Sequence, residues 1–349
     1  IVKYFLIIFS IFLIFLIGLR YEVGGDFDSY FKLFYVLKSR DNFEAAILTS
    51  GGDILYNILN LIVSKLGLNY ATVNFLCSSI FIFCLYEYSK KQKDPILTLM
   101  IAFPYLILVV SMGYVRQACA IGLFLYSLDF IIKRKIVYSF FILFLATLFH
   151  KTSLILIPIV FLAINYKRTR IFIFSIFIFS ILFIILFYRD FLGYANNYAI
   201  NPIMESPGVF YRTSLNLFAS LIFLLLFWSY FKINPILYNF YFYLSIATIL
   251  LFILQFYSTT LVDRLSLYIF PLQLFVFSSL PYLIKDNIRS IFINYSVKIS
   301  YFLLLIFWLI YANHSYLWKP YKSLIFQSNF ETYNDRIQVR ENIKDEYLF

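Results

Sequence analysis

The sequence predicts an all-α, polytopic membrane protein read as a single integral domain over residues 1–349, and three observations carry that prediction. Of 349 residues, 62% are hydrophobic and only 13% charged, and mean hydropathy is +0.83. A soluble domain holds about 45–50% apolar residues, and a core of limited size cannot hide the excess. The apolar runs are continuous rather than alternating. That excludes an outer-membrane barrel, and in lipid such runs satisfy their backbone only as helices. The basic residues fall in short clusters between the apolar runs. The net charge of +11 is therefore read as membrane topology, and no nucleic-acid partner is expected.

Residues 1–19 are expected to be a first span retained in the protein, because "LIGLRYEVGG" offers a poor small-residue cleavage site. Basic clusters follow at Lys90, Lys91 and Lys93; at Lys133, Arg134 and Lys135; at Lys167, Arg168 and Arg170; at Lys232; and at Lys285 and Arg289. Such clusters mark cytoplasmic loops, and enough apolar chain separates them to cross out and back at about 20 residues per span. The outward turns then fall near Gly113, near His150, over 189–212 and near 257–262. A last span at about 290–311 leaves the tail 312–349 outside.

Between residue 20 and Lys90 the chain must cross an odd number of times, and 70–89 makes one good span. The segment 53–66, "DILYNILNLIVSKL", carries Asp53, Asn57, Asn60 and Ser64 as one polar stripe on an apolar helix. Too short to cross, it is expected to lie in the membrane interface, inside an outer loop spanning 20–69. The count comes to about eleven spans with the N-terminus inside and the C-terminus outside. The short segments 136–149 and 152–166 are expected to form a broken or re-entrant pair hinged at His150-Lys151.

The three cysteines all lie in apolar runs and read as small buried hydrophobes. With two histidines in the chain no histidine metal cluster is expected, and no cofactor. The chemistry-bearing residues gather on the outer side instead. Arg116 and Gln117 stand at the outer start of one span, His150 and Lys151 at the hinge, and Asp263 and Arg264 at another outer start, with Tyr268 one turn on. Charges at a membrane edge are costly and usually functional. The stretch "RYEVGGDFDSYFKLF" adds an arginine and two glycines that permit a tight turn or close approach to a ligand. It continues into a short helix whose Phe27, Tyr30, Phe31 and Phe34 share one side. Arginines suit phosphates and aromatic rings suit sugars, so the expected ligand is a lipid-linked pyrophosphoryl sugar at the membrane surface.

The same residues resemble the EpsG family, which in turn resembles the Wzy-type polymerases of O-antigen, capsule and exopolysaccharide. "RYEVGGDFDSYFKLF", "GYVRQACAIGLFLYSL", "FLATLFHKTSLILIPI", "DRLSLYIFPL" and "WKPYKSLIF" correspond, in order, to segments of that family over roughly residues 18–325. The resemblance implies a GT-C-like glycosyltransferase of the bacterial inner membrane, working at the periplasmic face beside a possible chain-length regulator. It would move a growing glycan from one undecaprenyl pyrophosphate onto a new lipid-linked repeat unit. By motif, Arg20, Gly25, Asp26, Tyr30, Arg116, Gln117, His150, Ser153, Arg264 and Tyr268 carry over. Gly25 stands where the family often has threonine, which removes a possible hydroxyl contact.

Such a reaction needs a stabilised leaving pyrophosphate and an activated acceptor hydroxyl. Arg116 and Arg264, with Arg20 as a weaker third, are expected at the pyrophosphate, where guanidinium can act without a metal. Asp26 and His150 are the two candidates for base, Asp26 being preferred for contact with the acceptor sugar. Gly25, Tyr30, Gln117, Lys151, Ser153 and Tyr268 are expected to line the substrate. A ligase-type glycan transferase would share all these features. A flippase for the same lipid would need a polar path between two related halves, and no such halves show in the hydropathy.

Overall fold

The computed structural model describes residues 2–39, 53–167, 206 and 208–326. The expected span after Lys167, most of the loop 189–212, the middle of the loop 20–69 and the tail beyond 326 lie outside the described residues. The described chain is helical, and its one β-type pairing is an isolated bridge between Arg20 and Ser323.

In chain order the helices are α1 (Val2–Gly18), α2 (Phe27–Lys38), α3 (Ile54–Lys65), α4 (Tyr70–Ser89), α5 (Pro95–Gly113), α6 (Val115–Ile132) and α7 (Ile136–Phe149). They continue as α8 (Lys151–Ile164), α9 (Val209–Leu226), α10 (Tyr230–Ile233), α11 (Pro235–Leu254), α12 (Thr259–Leu283) and α13 (Asn287–Tyr311). Seven of these, α4, α5, α6, α9, α11, α12 and α13, are long and apolar enough to cross a membrane. The chain is an all-α polytopic membrane protein. α1, α3, α7 and α8 are shorter apolar helices. α7 and α8 break at His150, whose backbone is extended, as the sequence suggested for the 136–166 pair.

Local chemistry explains where the long helices start. Asn69, Asp94, Asn234 and Asp286 each stand just before a span, and each side chain accepts a backbone N–H of the first turn. Pro95 and Pro235 follow two of these caps, where a missing N–H costs nothing. Within α5 the segment Phe103–Val110 is wound as a π-helix and contains Pro104. A proline inside a helix removes one hydrogen bond and displaces the ladder, and a wider turn absorbs this.

The two ends of the bundle differ. One gathers Glu87, Lys90, Lys91, Asp129 and Lys133 into an ion-pair network, with Lys91 bridging to Asp129 at 3.0 Å. Asn294 meets Asp94 at the same end, 3.1 Å apart. At the other end the turns at Gly24, Gly113 and His150 converge. Gly24 donates its N–H to Leu317 O at 2.9 Å, and Trp318 Nε1 donates to Leu108 O at 3.0 Å. The chain after α13 thus folds back over that end and pairs with the chain after α1, Tyr21 N donating to Lys322 O and Leu324 N to Leu19 O.

Candidate functional site

The stretch after α1 is shaped by Gly24. Its φ is +111°, and a Cβ there would sit 2.1 Å from Met112 O, so no other residue fits. This seats Asp26 at the head of α2, with its N–H directed to Gly113 O at 3.4 Å. α2 then buries Phe27, Tyr30, Phe31, Phe34 and Leu37, the side that the aromatic spacing marked. Tyr30 faces the interior, its ring 5.3 Å from that of Tyr56, rather than a lipid headgroup. Its hydroxyl donates to Asp26 Oδ2 at 3.3 Å and receives Arg116 Nε at 3.3 Å.

Arg116 is the hub. Its guanidinium lies over the rings of Tyr30 and Tyr56, 5.0 and 5.9 Å from their centroids. Its Nη1 is 3.0 Å from Asp53 Oδ2. The same oxygen is 2.9 Å from His150 Nδ1, and Asp53 Oδ1 accepts the backbone N–H of Lys151 at 3.1 Å. Burial pushes the Asp53 carboxyl up, but the His150 hydrogen bond and charge, the Arg116 charge and the Lys151 N–H together hold it below the ordinary carboxylate value. An ionised Asp53 can only accept. His150 therefore carries its proton on Nδ1 and keeps the Nε2 lone pair for another partner. The His150 side chain remains 17% exposed. Asp26 behaves differently: burial raises its carboxyl above the ordinary range, against the pull of Arg116 and of the Tyr30 hydroxyl.

Asp53 heads the stripe that the sequence placed in the interface. The stripe faces the opposite way: Asp53, Asn57, Asn60 and Ser64 are buried, while Ile54, Ile62 and Leu66 are exposed. α3 turns its polar side into the protein and its apolar side outward. That inward stripe makes Asp53 the site residue that the sequence reasoning missed.

The remaining candidates fall into two groups. Gln117 donates to Arg264 O at 2.7 Å, tying the starts of α6 and α12 together, and Arg264's charge reaches Asp26. Tyr268 is fully buried and receives Thr152 Oγ1 at 3.1 Å, so it braces the His150 hinge from below. Ser153 is buried, with its N–H on His150 O at 3.0 Å, while Lys151 is exposed. Arg20 departs from its expected place at a pyrophosphate. Arg20 is 1% exposed and spends its guanidinium on Ile17 O, Val23 O, Met112 O and Asn74 Oδ1, at 2.6 to 3.3 Å. It clamps the chain after α1 and presents nothing to a pyrophosphate. A Cβ built on Gly25 would lie 3.5 Å from the Trp318 ring of the folded-back tail. Among the described residues no group of three or more His, Cys, Asp or Glu side chains is placed to share a metal ion.

The arrangement sets an imidazole against a buried carboxylate and a guanidinium, with Asp26 joined to the guanidinium through the Tyr30 hydroxyl. No curated protein and no solved structure matches the chain. The sequence model of the EpsG family matches residues 3–323, nearly the whole length. The chain belongs to the EpsG family.

Proposed function

We propose that the protein polymerises lipid-linked oligosaccharide repeat units, transferring a growing glycan from undecaprenyl pyrophosphate onto a new lipid-linked unit at the periplasmic face of a bacterial inner membrane. The observation that carries this reading is the Asp53–His150–Arg116 cluster, with Asp26 beside it, at one end of a membrane bundle of the EpsG family. Together these are a base, a sugar-binding carboxylate and a guanidinium at a membrane edge.

In this mechanism the acceptor hydroxyl oxygen attacks the anomeric carbon of the donor sugar. The new C–O bond forms as the bond from that carbon to the pyrophosphate oxygen breaks. His150 Nε2 takes the hydroxyl proton, and Asp53 stabilises the resulting imidazolium. Asp26 accepts a hydrogen bond from the acceptor sugar and sets its orientation. The pyrophosphate leaves with an extra negative charge, and Arg264 and Arg116 act on that charge. Arg116 is already engaged by Asp53, so on this reading its larger role is to fix the dyad and Tyr30, and Arg264 carries more of the pyrophosphate contact.

The test is a deletion strain. Collapse of a surface-glycan ladder to a single repeat unit, restored by the parent gene but not by His150→Ala, is the expected result. Complete loss of surface glycan would instead indicate a flippase or a ligase.

A further inference from the structure

The stretch "WKPYKSLIF" takes no part in the chemistry above, yet it lies against the site. Its chain is tied along the segment that leaves α1. Tyr21 N donates to Lys322 O at 2.9 Å, Leu324 N to Leu19 O at 2.8 Å, and the Tyr321 hydroxyl to Leu16 O at 2.7 Å. Lys322 pairs with Glu22 along the same segment. Just before the stretch, Leu317 O accepts the N–H of Gly24. These ties fix the place of Trp318, the first residue of the stretch.

Trp318 is buried, and its ring is held from three directions. Nε1 donates to Leu108 O at 3.0 Å, in the π-wound part of α5. Trp308 of α13 meets the ring edge-on, with 5.2 Å between centroids and 86° between planes. The outer edge of the indole points at two glycines. A Cβ on Gly113 would stand 2.7 Å from Cζ2 and 3.2 Å from Cη2, and a Cβ on Gly25 would stand 3.5 Å from Cη2. Gly113 is the last residue of α5, where the backbone is helical and suits any side chain. The indole is what leaves no room for one.

These two glycines adjoin the candidate site. Gly25 precedes Asp26, and Gly113 O faces the Asp26 N–H at 3.4 Å. Arg116 follows Gly113 in the first turn of α6. Trp318 therefore sets the gap between the turn that bears Asp26 and the turn that leads to Arg116. The other site residues have anchors away from the indole. His150 is held by Asp53 and, through Thr152 beside it, by Tyr268. Arg116 has its own pair with Asp53. Asp26 relies on longer contacts, its N–H on Gly113 O and its carboxylate 3.3 Å from the Tyr30 hydroxyl.

We infer that Trp318 is a positioning residue for the acceptor: its indole, wedged between Gly25 and Gly113, holds the Asp26 carboxylate in register with Tyr30 and Arg116. A displacement of about 1 Å at a site can cost about 100-fold in rate or binding, so a wedge of one ring is enough to matter. His150 is held elsewhere, so loosening the wedge weakens acceptor binding more than the chemical step. That Asp26 meets the acceptor rests on the polymerase reading; the wedge rests on the geometry alone.

The experiment compares the full chain with Trp318→Phe, Gly113→Ala and the double variant, all in nanodiscs. Polymerisation is followed with acceptor varied at saturating donor, and backbone protection by amide hydrogen exchange. Phenylalanine keeps a ring but lacks Nε1 and the outer edge of the indole. Trp318→Phe should raise acceptor KM about tenfold, the scale of one lost hydrogen bond, with kcat within about twofold of the parent. It should also raise deuterium uptake over residues 20–30 and leave 146–156 unchanged. A merely structural defect would lower kcat with the folded fraction and leave KM alone. Gly113→Ala should raise KM as well, because its methyl pushes the indole aside. In the double variant that methyl fills space the lost edge vacates, so KM should fall below that of Gly113→Ala. Unchanged KM in Trp318→Phe, or no recovery in the double variant, would overturn the wedge. If the parent makes no polymer, the polymerase reading fails and hydrogen exchange decides the wedge. Raised uptake over 20–30 in Trp318→Phe would then uphold it, and unchanged uptake would overturn it.

Discussion

At the scale of single residues, three side chains separate what the sequence could say from what it could not. His150 and Arg116 stood out because charge at a membrane edge is expensive. Asp53 did not, because a carboxylate at the head of a polar stripe looks the same whether it meets water or another side chain. Arg20 has the opposite history: an arginine beside two glycines resembles a ligand contact, yet it caps four acceptors inside the protein. Asp53→Asn should therefore lower the polymerisation rate by about 100-fold or more, since the imidazole loses the anion that fixes its tautomer. Single-turnover measurements on purified protein check this. Arg20→Lys should instead lower thermal stability, by about 1.5–3 kcal/mol for each charged hydrogen bond it fails to remake, with acceptor KM unchanged. Asp26 supplies a pH signature. Its carboxyl is raised by burial, so it becomes protonated, as pH falls, above the ordinary aspartate value of about 3.9. Acceptor KM should rise on that acid side, and Asp26→Asn should remove the dependence while raising KM at every pH. Asp28→Asn should behave like the parent.

At the scale of elements, helix type was more legible than helix facing. Continuous apolar runs between basic clusters located the long spans, and the extended break at His150 matched the hinge read from two short segments. α3 shows the limit. A polar stripe on an apolar helix says that two faces differ, but in a membrane protein the apolar face suits lipid and the polar face can turn inward. The glycine pair shows another limit. Adjacent glycines signal a tight turn without saying which residue requires it, and only the +111° φ of Gly24 and the Met112 carbonyl against it decide. Gly24→Ala should cost about 2 kcal/mol or more, because backbone cannot yield to a new Cβ. Gly25→Ala meets the Trp318 ring and Leu317 at ordinary contact distances, and should stay within about 0.5 kcal/mol of the parent. Thermal unfolding of the detergent-solubilised proteins compares the two.

At the scale of the whole molecule, charge clusters gave a sidedness that the fold makes testable. The Lys90–Lys93 loop and Asp129 form one end of the bundle, and Asp26, Asp53, His150 and Arg264 approach the other. The three native cysteines are buried, so an introduced cysteine can be read against a low background. Cysteine at the exposed position of Ser29 should react with an impermeant maleimide in intact spheroplasts, whereas cysteine in place of Lys91 should react only after lysis. The reverse pattern would put the candidate site on the cytoplasmic side. The central claim is that this end of the bundle joins glycans on lipid carriers, and reconstitution tests it most directly. Purified protein in liposomes is given one lipid-linked repeat unit, and products are resolved by mass. The account predicts glycans of two, three and more repeats, one undecaprenyl diphosphate released for each new linkage, and neither product with His150→Ala. Repeat units that cross the membrane, or stay on their carrier, without any gain in length would contradict it.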